Sequence, residues 1–221
     1  MDPFHQCLAF GPVAVYLVLL GTINLARRPL LVAGTRDVAA LGLALSGLVI
    51  VGPLALIFPE MSALHLGPAG FRYLWIVLVA LYGLCLVLVL LVQRPRLVIY
   101  NISVDQLRPI LAELVQGLDP EAHWAGDSLA LPGLGVQLHL DATAWMRNVA
   151  LVSAGPKQDE RGWTRLATAL TAALRDVKVP RNPRGVTLMS IGLFLCVILA
   201  WNVVRDPQTV AHTLYQLLQW P

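Results

Sequence analysis

QRPRLVIYNISVDQLRPILAELVQGLDP, residues 93–120, is where this chain changes character. Before it lies the almost unbroken apolar run Phe71–Val92. After Arg94-Pro95-Arg96, the residues Leu97–Tyr100 form a short apolar run of β type. Ser103-Val-Asp-Gln106 then has the S-x-x-Q form of a capping box, in which Ser103 satisfies orphan N–H groups of a new helix. Leu107, Ile110, Leu111, Leu114, Val115 and Leu118 follow at helical spacing, and Asp119-Pro120 stops the helix. A chain that leaves an apolar span and at once builds an amphipathic helix is entering a water-facing domain.

Downstream the pattern is a meander. Gly126-Asp127 is a turn signal, Ser128–Leu131 a strand, and Pro132-Gly-Leu-Gly135 a second turn. Val136, Leu138 and Leu140 alternate with Gln137, His139 and Asp141, as in a half-buried strand. Val149–Val152 reads as another strand, and Asp159–Val177 as an amphipathic helix with a stripe of Trp163, Leu166, Ala167, Leu170, Leu174 and Val177. The order is β-α-β-β-β-α, with room for a short extra strand at His123–Ala125. It predicts an antiparallel-rich sheet with two helices on one face, an α+β domain over residues 94–184.

Upstream and downstream of that domain the chain is made for lipid. A bilayer-spanning helix needs about 20 mainly apolar residues. Leu8–Ala26, Val38–Phe58, Phe71–Val92 and Gly185–Val204 each meet that length. The fold class expected is therefore a helical membrane protein of four spans, with the α+β domain inserted between spans three and four. The first span is not a cleavable leader, because Met1–Gln6 carries no Lys or Arg and the positive charges Arg27 and Arg28 follow the run. The tail, residues 205–221, places Val210, Leu214, Leu217, Leu218 and Trp220 at the spacing of one amphipathic helix at the outer surface.

Composition agrees. Of 221 residues 57% are hydrophobic and 13% charged, against about 25% charged in soluble domains. Such a chain has too few polar side chains to cover a compact body in water. The balance excludes a disordered chain, a disulfide-rich secreted module and a basic nucleic-acid-binding domain.

The net charge of +3 is small, but its distribution is informative. Arg27, Arg28, Arg36, Arg94, Arg96, Lys178, Arg181 and Arg184 fall on one side of the spans, and only Arg72 and Arg205 on the other. The positive-inside rule then predicts a plasma (inner) membrane protein with its N-terminus outside, residues 94–184 in the cytoplasm and its C-terminus outside. The heavy use of Arg over Lys suggests a bacterial coding sequence. Tyr73, Trp75 and Trp201 sit at the outer interface in this arrangement, where aromatic side chains are favoured.

No span holds a His or a carboxylate at depth, so no proton relay or intramembrane haem ligation is expected from this chain. Asn24, Asn202, Asp37 and Arg72 lie near span ends, where capping or interhelical hydrogen bonding accounts for them. Cys7, Cys85 and Cys196 are far apart and read as packing thiols. The domain has no GxGxxG, GxSxG or HExxH, and its Asp119/Glu121 and Asp159/Glu160 pairs sit in loops or helix starts, where acids are electrostatically favoured. No catalytic residue, cofactor or metal site is predicted.

Two features point to contacts with other chains or helices. Trp145-Met146-Arg147 combines three interface-enriched residue types between two strands, with local core packing of Trp145 as the simpler reading. In the second span, Gly42-x-x-x-Ser46 permits close helix approach, with the first span as the expected neighbour, and Gly52-Pro53 should bend the helix. The function these features suggest is a non-catalytic membrane subunit or scaffold, in contact with the lipid bilayer and with other membrane protein subunits and not with nucleic acid. The cytoplasmic domain would dock a partner. The alternatives are a small oligomeric transporter or channel component, and a membrane-tethered ligand sensor.

Overall fold

The computed structural model describes residues 2–52, 67–143, 146–156 and 158–218. The chain is mostly helical, with one antiparallel sheet. Among the described residues three helices are long and apolar enough to cross a membrane. These are α1 (Pro3–Leu25), α2 (Gly34–Val51) and α6 (Arg184–Arg205). Helix α3 (Gly67–Val92) contributes the shorter described apolar stretch Ile76–Val92. Helix α7 (Pro207–Leu218) forms the tail. The chain divides into two compact units: Met1–Leu20 with Ala39–Leu91 and Thr187–Pro221, and Gly21–Val38 with Val92–Val186.

In the first unit, close helix approaches depend on glycine. A Cβ on Gly47 of α2 would strike the Leu8 carbonyl of α1, and one on Gly192 of α6 would come within 2.9 Å of the Ala14 carbonyl. Gly42 instead faces α3, where an added Cβ would lie 2.5 Å from Leu86 Cδ1 and where Tyr82 donates to its carbonyl at 2.5 Å. Gly42 therefore packs against α3 and not, as the Gly42-x-x-x-Ser46 pattern suggested, against the first span; Gly47 makes the approach to α1. Ser46 turns its hydroxyl onto the Leu43 carbonyl at 2.7 Å. Gly52 does not sit inside a bent helix: α2 ends at Val51, and Gly52 follows with φ 89° and donates its N–H to Leu48 O at 2.9 Å. A glycine is favoured at such a left-handed stop because it has no Cβ to clash. Pro53 lies outside the described residues.

The second unit carries the sheet. Its strands are β1 (Leu30–Ala33), β2 (Arg96–Tyr100), β3 (His123–Ala125), β4 (Ser128–Leu131), β5 (Val136–Thr143) and β6 (Asn148–Ser153), in the order β1-β2-β6-β5-β4-β3. Every neighbouring pair is antiparallel. Helices α4 (Val104–Leu118) and α5 (Glu160–Leu174) complete it. Gln106 Oε1 accepts the Ser103 N–H at 3.4 Å, one arm of the expected capping box, and Asp159 caps α5 through the Arg161 N–H at 3.0 Å. The alternation read in the sequence holds: Val149, Leu151 and Ser153 point inward from β6, and Val136, Leu138 and Leu140 from β5. They meet Leu107 and Leu111 of α4 and Leu166 and Leu170 of α5 in one core. Full burial of each such aliphatic side chain contributes about 1.5–3 kcal/mol.

Strand β1 was not foreseen. Leu30–Ala33 joins the loop between the first two apolar helices to the sheet, with Leu30 opposite Tyr100 and Ala33 opposite Leu97. It forms one edge of the sheet.

Candidate functional site

The notable chemistry of the second unit gathers where α1 ends and α6 begins. An α-helix leaves its last carbonyls without partners of its own. At the end of α1 those carbonyls receive donors from distant parts of the chain. Asn182 N–H donates to Asn24 O at 3.1 Å, and Val179 N–H to Arg27 O at 2.9 Å. Asn101 Nδ2 donates to Ala26 O at 2.5 Å. Asn101 reaches this position in a left-handed conformation, φ 62°, which Asn tolerates better than most residues.

Asn182 is the centre of the arrangement. It is 2% exposed, and Asn24 is fully buried. Its Nδ2 donates to Asn24 Oδ1 at 3.2 Å and to the Met146 carbonyl at 3.0 Å. Its Oδ1 accepts the Arg184 N–H at 3.2 Å, in the first turn of α6. One amide thus serves the end of one apolar helix and the start of another.

The loop that was read as an interface motif lies beside it. Trp145 is outside the described residues. Met146 contributes the carbonyl just named. Arg147 donates to Gln106 Oε1 at 3.2 Å and to the Pro180 carbonyl at 3.1 Å, and its own carbonyl accepts from Ile102 N–H at 2.7 Å. These bonds hold the loop to α4 and to the segment that leads into α6.

The start of α2 is held just as closely. Asp37 accepts from Arg96 Nη2 at 3.0 Å and from the Tyr100 hydroxyl. The pair is partly buried, with 32% and 19% side-chain exposure for Arg96 and Asp37. Gly34 makes room for it, since a Cβ there would strike the Arg96 side chain.

Between β1 and α5 runs an open groove in two stretches that share Leu30, Leu31, Thr168 and Thr171. The first has a volume of about 770 Å³ and continues onto Ile23 and Ala26 at the end of α1. Arg28 and Arg175 line it. The second, about 860 Å³, extends toward Arg36, Arg94 and Trp163. The threonines of α5 add little polarity: Thr164, Thr168 and Thr171 donate their hydroxyl protons to carbonyls four residues back, at 2.9, 2.8 and 2.7 Å. Neither the Arg28 nor the Arg175 guanidinium has a hydrogen-bond or ion-pair partner among the described residues.

Elsewhere in the domain Asp119 and His139 have local partners. Asp119 accepts from Gly133 N–H at 2.7 Å and Glu121 N–H at 3.1 Å and so pins the second turn. Ser128 and His139, opposite each other on β4 and β5, lie 3.1 Å apart on the exposed face. Among the described residues no three His, Cys, Asp or Glu side chains are grouped to hold a metal ion.

Sequence reasoning missed Asn101, Asn182, Arg28 and Arg175 as members of one region. The available signal was weak: two asparagines beside apolar runs, and arginines already assigned to topology. No family model, curated protein or solved structure matches the chain.

Proposed function

We propose that this chain is a non-catalytic integral membrane subunit of a larger assembly. Four helices cross the plasma membrane, and the cytoplasmic α+β domain docks a partner protein. The observation that carries this reading is the pairing of β1 with β2. Both strands belong to one sheet, and a sheet lies on one side of a bilayer. The chain between them, which includes α2 and α3, must therefore cross an even number of times. Two crossings fit the apolar content of these helices. The same reasoning supports α1 and α6 as a further pair, because their ends meet at Asn24 and Asn182. The basic residues at these ends favour the cytoplasm for the sheet.

Within the second unit, β1, Asn101, Val179 and Asn182 tie the sheet to the last residues of α1 and the first turn of α6, which suits a scaffold. The test has two arms. In intact cells, a Lys178→Cys variant without the native cysteines should resist an impermeant thiol reagent, and labelling there would overturn the topology. Blue-native electrophoresis in mild detergent should show a complex above monomer mass, and a clean monomer with no co-purifying chain would remove the subunit reading. The groove favours a second reading, a membrane-tethered sensor of a small amphiphile.

A further inference from the structure

The groove combines features that specify an occupant. Its floor is apolar, from Leu30, Leu31, Ala172 and Leu174. It continues onto Ile23, so one end of the groove reaches the last turn of α1. Arg28 and Arg175 line it, and neither guanidinium has a partner among the described residues. They come from parts of the chain 147 positions apart, so their place along one groove is a product of the fold. On the membrane reading, an apolar channel open at headgroup level and lined by these two cations complements a molecule with a phosphate at one end and an alkyl chain at the other.

We propose that this groove holds one anionic phospholipid of the cytoplasmic leaflet. Its phosphate sits between Arg28 and Arg175, and an acyl chain lies over Leu30 and Leu31 toward Ile23. Arg is suited to this role because its planar fork of N–H donors matches phosphate oxygens. The volume of about 770 Å³ accommodates a headgroup and part of one chain. The edge strand β1 forms one wall and α5 the other, so a bound lipid bridges the membrane loop and the soluble helix. In the scaffold reading this ties the domain's packing to the lipid composition around it. The inference rests on the membrane reading only in requiring that Ile23 lie at the inner hydrocarbon boundary.

The full chain, purified in detergent, is titrated with phosphatidylglycerol, phosphatidylcholine or inorganic phosphate and examined by native mass spectrometry. One phosphatidylglycerol should be retained in preference to phosphatidylcholine, and inorganic phosphate should not displace it. The double variant Arg28→Gln/Arg175→Gln should weaken retention on the order of tenfold, from two basic contacts near an anionic group. Arg205→Gln, in the other compact unit, should leave it unchanged. Ala172→Trp fills the groove without altering charge and should also abolish retention. Ala172 is exposed on α5, so this variant keeps the core intact, and circular dichroism checks that it does. Equal retention of both lipids, or full retention by Ala172→Trp, would overturn the site and leave only diffuse surface attraction. Displacement by inorganic phosphate would assign the site to free phosphate. Recovery of the chain in the soluble fraction without detergent would instead remove the membrane reading itself.

Discussion

The side-chain amide of Asn182 donates to that of Asn24 at 3.2 Å across 158 positions of sequence, and both side chains are buried. A buried amide pair is costly to break because the lost hydrogen bond is not replaced by water. Asn182→Leu removes one donor group that serves two acceptors and one acceptor that serves Arg184. The expected loss is about 1–3 kcal/mol for each buried group left unsatisfied. Thermal unfolding in detergent measures it. The double variant with Asn24→Leu should be less destabilised than the sum of the two single variants, because the bond between the two amides is lost once and counted twice in that sum. Strict additivity would show that the pair does not interact.

Two glycines in the domain should respond in opposite directions to alanine. Gly162 opens the first turn of α5 against the Leu134 carbonyl, and an added Cβ would also lie 2.9 Å from Val136 Cγ2. Gly162→Ala should cost about 1–3 kcal/mol through overpacking. Gly117, in the last turn of α4, has open space where its Cβ would be. Gly117→Ala should stabilise by about 0.5–1 kcal/mol, because it lowers the entropy lost on forming the helix. Chemical denaturation of both variants reads the contrast, and a stabilising Gly162→Ala would contradict the close approach.

The tail helix is secured by a titrating contact. Thr213 donates its hydroxyl to Asp2 Oδ2 at 2.5 Å, and Phe4 N–H donates to Asp2 Oδ1 at 2.9 Å. Burial pushes the Asp2 carboxyl up, but these two bonds and the neighbouring His5 outweigh it and hold it below the ordinary 3.8. The folded state therefore favours the carboxylate. Its contribution is complete above that ordinary value and fades as pH falls through the lowered one. Asp2→Asn should melt at a lower temperature than the native chain at pH 7, and the gap should close in acid. A gap that stays constant would remove Asp2 from the contact.

The ion pair under β1 offers a fourth test. Asp37→Ala leaves Arg96 and Tyr100 without the acceptor they share. Because the pair is partly exposed, the expected loss is about 1–3 kcal/mol, that of an unsatisfied charged group partly relieved by water. Hydrogen exchange should quicken first at the Leu31–Ala33 amides, next to the start of α2. Uniform quickening through β4 and β5 would place the effect elsewhere.

The sheet interior was legible because its information is local. Val136–Asp141 alternates along one strand, and Leu107 to Leu118 repeats along one helix, so each pattern declares its own period. Leu30–Ala33 carries no such mark. Four apolar residues after Pro29, ahead of another apolar helix, look like the flank of a span. They become a strand only because Leu97–Tyr100 lies beside them, and that pairing is not encoded near either segment. The same applies to the groove. Arg28 reads as a topology signal and Arg175 as a helix end, and only the third dimension sets them along one cavity. The three asparagines failed for a related reason: a buried amide has the same letter as an exposed one. The long apolar helices, by contrast, were readable from composition, although Gly47 and not Gly42 makes the close approach to α1.

Strand β1 also has a consequence for how the molecule comes into being. It is synthesised before α2 and α3, the helices that separate it from β2, so it has no partner while they emerge and are placed. The sheet can close only when Arg96–Tyr100 arrives on the same side, and the end of α1 is completed later still, by Val179 and Asn182. On the membrane reading proposed above, a hairpin inserted with one crossing too few would leave β1 and β2 on opposite sides of the bilayer and the sheet without its edge strand. The finished β1–β2 pair would then be a record that insertion went correctly, and a chain inserted wrongly would display an open β2 edge for quality control to find.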